Sequence, residues 1–279
     1  MKEIRYNFGR NKHSNKLHLD KYYTDLELAK YCIDKTYEVI GRENITEIIE
    51  PSAGNGSFSN QLDCIAYDIE PEDDNIMNQD FLDLELSYMS GRLFIGNPPY
   101  GRSFRLGTSF YSKCCKYGDY ISFILPIRQL NNSRHLHQFD LIYSEDLGEV
   151  EFSGKKVSCC LNIYRRPFGG KLNPRPKNKL KDITIIKKDP RSDKYDNTKK
   201  YDLRISAWGK PVGRILNEND NLNMEFKIII NNVELKSEII NFFHNVDWVK
   251  ETNQTLKNTN VITMTDIVTV IKKYITDIE

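Results

Sequence analysis

The sequence lacks any long hydrophobic run, any apolar leader and any metal-ligand spacing among its cysteines. Its longest apolar stretches, such as Phe226–Ile230 with a lysine inside it, fall far short of the roughly 20 residues needed to span a bilayer. The opening Met1-Lys-Glu-Ile-Arg-Tyr is charged and has no hydrophobic segment of the secretory kind. The six cysteines include two adjacent pairs, Cys114-Cys115 and Cys159-Cys160, and no Cys-x-x-Cys. Neighbouring cysteines inside regular segments make a poor disulfide framework, so a reduced, cytoplasmic setting without membrane contact or bound metal is expected. Internal repeats are absent, as are G-x-G-x-x-G and a P-loop lysine. The 279 residues leave room for a sizeable core in one large domain or two.

Charge of one sign is missing locally. Between Lys155 and Arg214 there are 18 Lys+Arg and 5 Asp but no Glu, a local +13, although the whole chain carries only +1. The remainder therefore stands at −12. A basic block on an acidic body suits a polyanionic partner, or else a solvated loop. Arg204, Trp208, Lys210 and Arg214 lie where aromatic residues and a Trp-Gly pair interrupt the block, which favours nucleic-acid contact. For Trp208 the core aromatic of its module is the preferred reading over base contact.

A helix is predicted from Thr24, as N-cap, to about Ile40, with Gly41 as its stop. Ile45–Glu50 reads as a strand, and Pro51-Ser-Ala-Gly-Asn-Gly-Ser57 follows it into a predicted helix. Gly54 and Gly56 permit a tight turn and close approach of a ligand, and Ser52 and Ala53 leave room for it. An acidic residue at the head of this loop suits a ligand bearing an ammonium group. Cys64–Tyr67 ends in Asp68, placed to accept from ribose hydroxyls, and Asp80-Phe81 offers an acceptor plus an aromatic face. Leu93–Ile95 is a buried strand ended by Gly96, and Asn97-Pro98-Pro99-Tyr100 follows as a rigid turn. The two prolines remove two donors and leave carbonyls free. Alone, that tetrapeptide is equally a strand cap or a grip on a flat amino-bearing base. Beyond it come a helix over Thr108–Tyr117, a strand over Tyr120–Pro126, short strands or turns at Leu141–Tyr143 and Gly148–Phe152, and a late strand, Val157–Tyr164. Residues 167–200 read as linker. Strands at Tyr201–Trp208, Arg214–Leu216 and Phe226–Ile230 then precede helices near Leu235–Phe243 and Thr265–Ile278.

In this order the stations Tyr22-Tyr23-Thr24, Glu50–Gly56, Tyr67-Asp68-Ile69-Glu70-Pro71, Asp80-Phe81 and Asn97–Tyr100 resemble the S-adenosylmethionine-dependent N6-adenine DNA methyltransferases, in the γ-like motif order. The resemblance covers about residues 20–166. It implies a Rossmann-like, doubly wound α/β catalytic domain over 1–166 and a smaller, basic α+β target-recognition domain over 167–279. The latter matches no recognition module.

The same resemblance implies that Tyr22, Tyr23 and Thr24 hold the methionine carboxylate end of S-adenosylmethionine. Glu50, Ser52, Ala53, Gly54 and Gly56 would line the methionine moiety, Asp68 bind the ribose, and Ile69 and Phe81 pack on the cofactor adenine while Asp80 accepts from its amino group. Asn97 and the Pro98 carbonyl would accept from the target N6 amine on the Pro98-Pro99 turn, with Tyr100 stacked on a flipped-out base. Double-stranded DNA with a specific adenine site is the implied substrate, and a companion restriction endonuclease the implied partner. The same turn serves enzymes that methylate RNA amino groups or protein glutamine. The glycine loop and the basic block favour nucleic acid, and Asn97 favours adenine over N4-cytosine. A non-catalytic nucleic-acid-binding module on the same fold is the reading from a different class.

Overall fold

A computed structural model describes residues 23–131, 135–152, 155–176, 179–188, 200–220, 222–252 and 261–279. The chain divides into two compact units, 1–174 and 175–279. Residues 167–174, placed by the sequence reading with the second domain, therefore group with the first. Asn173 shows why, since its N–H donates to Gln138 O at 2.9 Å and its side chain to Asp140 at 2.8 Å.

The first unit is built on seven strands: β1 (Glu47–Glu50), β2 (Ile65–Asp68), β3 (Met77–Asn78), β4 (Arg92–Gly96), β5 (Tyr120–Pro126), β6 (Asp140–Phe152) and β7 (Lys155–Arg165). They form one sheet in the order β3-β2-β1-β4-β5-β7-β6. The pairs from β3 to β5 are parallel, while β7 runs antiparallel to both β5 and β6. This is the open, mostly parallel α/β sheet expected. Strand order reverses between β1 and β4, and a sheet of this kind opens a crevice at the carboxyl ends of its strands at that point.

Burial on both faces explains the unbroken apolar strands. Leu93 and Ile95 pack with Ala29, Cys32 and Ile33 of helix α1 (Leu26–Ile40). Between them, Phe94 turns to the opposite face and joins Phe110, Tyr111, Cys114 and Cys115 of α2 (Arg105–Tyr117). Five of the six cysteines are buried, and all six are free thiols. Burial pushes the Cys32 thiol up to about 12, so it is a packing group rather than a nucleophile.

Three local expectations change. Asp25, not Thr24, caps α1, its carboxylate accepting from Glu27 N and Leu28 N. The helix expected at Ser57 is a single 3-10 turn, Ser59–Gln61, because the chain must return at once to β2. Leu141–Tyr143 and Gly148–Phe152 belong to one thirteen-residue strand, β6, interrupted by two register shifts.

The second unit has an antiparallel sheet, β8-β10-β9, from β8 (Ile183–Lys187), β9 (Leu203–Ser206) and β10 (Glu225–Ile230). Strand β8 falls inside the segment expected to be linker. Helices α3 (Lys236–Asn245), α4 (Trp248–Glu251) and α5 (Met264–Tyr274) complete it. Its core gathers Ile205, Phe226, Ile228, Ile239, Phe243 and Trp248. Gly213 has φ 79°, and a Cβ there would lie 2.1 Å from Trp248 Cδ1, so the ring packs directly on the backbone. Among the described residues, no helix is long and apolar enough to cross a membrane.

Candidate active site

The carboxyl ends of β1 and β4 are brought side by side by the pairing of Glu47 with Arg92, Ile48 with Leu93 and Ile49 with Phe94. Glu50 and Gly96 therefore meet. A Cβ on Gly96 would sit 3.4 Å from Glu50 Cγ and 3.5 Å from its Oε1, so the glycine admits the carboxylate. Glu50 is 2 % exposed. Its Oε2 accepts from Ser59 N at 2.8 Å. Burial, reinforced weakly by the Asp68 charge, pushes Glu50 from its ordinary 4.5 up to about 8.

The loop after β1 is tied to β2. Ala53 N donates to Tyr67 O at 2.9 Å and Gly54 N to Asp68 Oδ2 at 2.8 Å. Gly54 takes φ 56° and Gly56 φ 81°. The Tyr23 ring lies 3.7 Å from where a Gly54 Cβ would be, and its hydroxyl donates to Glu72. Ser52 Oγ is buried with no hydrogen-bond partner, a polar atom left over for a ligand. The Ala53 methyl faces Ala66 and Ile76, so Ala53 offers a ligand only its backbone.

Asn97 joins this loop to the start of α1. Its Nδ2 donates to Thr24 Oγ1 at 3.2 Å, and Thr24 O accepts from Ser57 Oγ at 2.6 Å. Thr24 is itself buried. With its amide nitrogen engaged, Asn97 presents Oδ1, which accepts from no described residue, and the Pro98 carbonyl is likewise unclaimed. Two acceptors thus stand at the carboxyl end of β4 on a turn whose prolines carry no N–H. Tyr100 is half-buried, and its hydroxyl lies 3.4 Å from Ile124 O and 3.7 Å from Cys159 Sγ.

Several assignments need correction. Phe81 does not present a face to a ligand. At 1 % exposure it is a core ring, 5.7 Å from Phe94 and 5.7 Å from Phe110. Arg204 does not reach for phosphate: it is buried, bonded twice to Glu225 and once each to Asn217 O and Asp220 O. Trp208 is not the core aromatic of its module, a place taken by Trp248. It is 51 % exposed at a turn with Lys210, which is also exposed. Arg214 is exposed but pairs with Asp220 at 2.9 Å. Tyr22 lies outside the described residues.

Asp68 has work that its position in the sequence did not suggest. Its second oxygen accepts from Glu70 N at 2.8 Å, so the carboxylate braces both the glycine loop and its own turn. Ile69 beside it is 40 % exposed. Asp80 Oδ1 accepts from Leu82 N at 2.8 Å, and Gln79 N bonds Asp68 O at 2.9 Å, so the Asp80 turn is anchored next to Asp68. Ser57, Ser59 and Glu72 went unrecognised, because a serine that binds a neighbouring loop has no signature in the sequence.

No family model matches this sequence, and no curated protein does. Solved structures do show likeness. A candidate RNA methyltransferase from Pyrococcus horikoshii is 14 % identical, with TM-score 0.42 over 53 % of this chain and 87 % of that one. A candidate class I S-adenosylmethionine-dependent methyltransferase from Listeria monocytogenes is 14 % identical, with TM-score 0.42 over 58 % and 66 %. The 23S rRNA methyltransferase ErmE is 16 % identical, with TM-score 0.39 over 53 % and 70 %.

Proposed function

We propose that this chain is a site-specific DNA methyltransferase acting on the N6 amino group of a flipped-out adenine, with S-adenosylmethionine as methyl donor. The observation that supports it most is the Asn97 amide, turned by Thr24 so that its oxygen stands free beside the Pro98 carbonyl. An exocyclic amine conjugated to a ring is a poor nucleophile, because its lone pair is delocalised. Two acceptors on its hydrogens draw the nitrogen toward a tetrahedral shape and localise that lone pair. Positioning and electrostatics of this kind require no acid–base dyad in the protein. The target atom is out of reach inside a duplex, so the base must leave the stack, and Tyr100 offers it a face.

The residues present fit the cofactor. Glu50, the Ser52 Oγ that has no hydrogen-bond partner among the described residues and the glycine turn at Gly54, which has no side chain in the way, would hold its methionine end, with Asp68 and Ile69 at the ribose and adenine. Bound there, S-adenosylmethionine supplies an electrophilic methyl on a sulfonium. Trp208 and Lys210, both exposed, would face the polyanion. The companion nuclease remains part of the proposal.

Expression in a methylation-deficient host, followed by mapping of modified bases, tests the reading. N6-methyladenine at one recurring sequence is expected. Soluble protein with unmodified DNA overturns it, and modified adenine in RNA instead establishes the RNA alternative.

Two further outcomes are expected. Tyr100→Ala lowers transfer about 10- to 100-fold, the worth of one base–aromatic stack, whereas Tyr100→Phe retains most activity because it keeps the aromatic face. Equal losses in steady-state assays of the two variants would rule out stacking as the role. Glu50 gives a proton signature. With its acid raised from 4.5 to about 8, the cofactor-free protein binds a proton that the unfolded chain has lost. Its stabilising share is complete below pH 4.5 and disappears as pH rises through about 8. A cation seated beside Glu50 lowers that pKa, so cofactor uptake near pH 6.5 releases up to one proton. Titration calorimetry in buffers of different ionisation enthalpy measures it, and Glu50→Gln is expected to remove both effects.

A further inference from the structure

We infer that Arg102 and Arg105 form a phosphodiester grip beside Tyr100, holding the backbone of the nucleotide whose base this turn receives. The inference rests on the nucleic-acid reading above and adds to it a contact inside the catalytic unit, away from the basic C-terminal region.

Residues 1–174 carry 21 basic and 24 acidic side chains, yet from Leu86 to Gly118 there are five basic residues and no acid. Three of the five are accounted for. Arg92 pairs with Glu47 and donates to Ser87 O and Tyr117 O. Lys113 is buried and donates to Leu82 O at 2.8 Å. Lys116 sits in the last turn of α2, where a cation favours the helix dipole. Arg102 and Arg105 are left. Both are exposed, and neither makes an ion pair or a side-chain hydrogen bond with any described residue.

These two residues stand on a segment tied to the Tyr100 turn. Gly107 N donates to Tyr100 O at 3.4 Å and Phe104 N to Gly101 O at 3.2 Å. Between the arginines, Ser103 and Phe104 take left-handed backbone, φ 55° and 61°. Consecutive non-glycine residues hold that conformation, at a cost of order 1 kcal/mol each, only where neighbours enforce it. Here the enforcing contact is Phe104, whose ring seats on Gly107 so closely that a Cβ there would lie 2.2 Å away, and whose centroid is 6.2 Å from that of Tyr100. The step separates Arg102 from Arg105, the first residue of α2, on a backbone segment tied to Tyr100. Two guanidinium groups without a partner among the described residues, forks suited to phosphate oxygens, are thus carried by the segment that follows the Tyr100 turn.

The test compares wild type with the double variant Arg102→Ala/Arg105→Ala, using a labelled non-specific DNA duplex at several salt concentrations. Loss of two phosphate contacts lowers the slope of log K against log salt by about 1.8. Affinity is expected to fall in parallel, while calorimetric affinity for S-adenosylmethionine and the thermal midpoint stay at wild-type values. Arg102→Lys/Arg105→Lys keeps the charge and restores most of the slope. Wild-type slope and affinity in the alanine variant overturn the grip. A reduced slope in a protein that modifies no nucleic acid upholds the grip and overturns the methyl-transfer reading, so the two fail separately.

Discussion

Asn97→Ala is expected to slow methyl transfer by about 10²–10³-fold, the usual consequence of deleting one preorganised polar group at a reacting centre, while cofactor affinity changes only a few-fold. The asymmetry follows from geometry. Asn97 Nδ2 is committed to Thr24 Oγ1 at 3.2 Å, so the atom the substitution removes from the reaction is Oδ1. The glycine loop that would hold the cofactor is braced by other groups, Asp68 on Gly54 N and Tyr67 O on Ala53 N. Single-turnover transfer of labelled methyl, measured beside equilibrium cofactor binding, separates the two quantities. If both fall together, Asn97 acts as a structural link to Thr24 and not on the target amine. Thr24→Val sharpens the comparison. It removes the acceptor that orients the amide and is expected to reduce transfer through a freely turning Asn97. Asp68→Ala is a poor probe of ribose contact, since it also releases Gly54 N and Glu70 N.

Arg204→Ala is expected to destabilise the protein by about 3–5 kcal/mol, the effect of breaking a buried ion pair on one side. Glu225 is 1 % exposed and receives two hydrogen bonds from Arg204, at 3.2 and 2.7 Å. Removal of the guanidinium takes two donors from that carboxylate and one each from Asn217 O and Asp220 O. Denaturant unfolding measures the loss. Combining Arg204→Met with Glu225→Leu is expected to recover most of it, because an apolar pair of similar volume carries no desolvation cost. A phosphate-binding arginine would behave otherwise, weakening nucleic-acid binding without changing the unfolding midpoint, and the double substitution would recover nothing.

Arg204 also shows where the sequence stops being informative. In the sequence it is one of 18 basic residues between Lys155 and Arg214, with nothing to set it apart. Its partner lies 21 positions away and is brought near only because β9 and β10 pair with Lys227 opposite Arg204 and Glu225 opposite Ser206. Trp208 and Trp248 pose the same problem. Both are tryptophans in mixed surroundings, and which one enters the core depends on Gly213 admitting the Trp248 ring. Phe81 follows an aspartate at a motif position, yet its ring is claimed by Phe94 and Phe110, contacts that no local pattern encodes.

Read alone, the residues determined the sheet and its working edge. Leu93–Ile95 and Phe123–Leu125 are apolar without interruption because both faces are covered, and that pattern is visible in one dimension. Gly54, Gly56 and the Asn97–Tyr100 turn were equally legible, since positive φ and missing donors are properties of the residues themselves. Tertiary structure decided the rest. It set Glu50 against Gly96, turned the Asn97 amide toward Thr24, put Phe81 and Arg204 inside, and left Arg102 and Arg105 unpaired outside. Each depends on which distant segment arrives as neighbour, and burial and pairing, unlike backbone preference, belong to pairs of segments and not to either one.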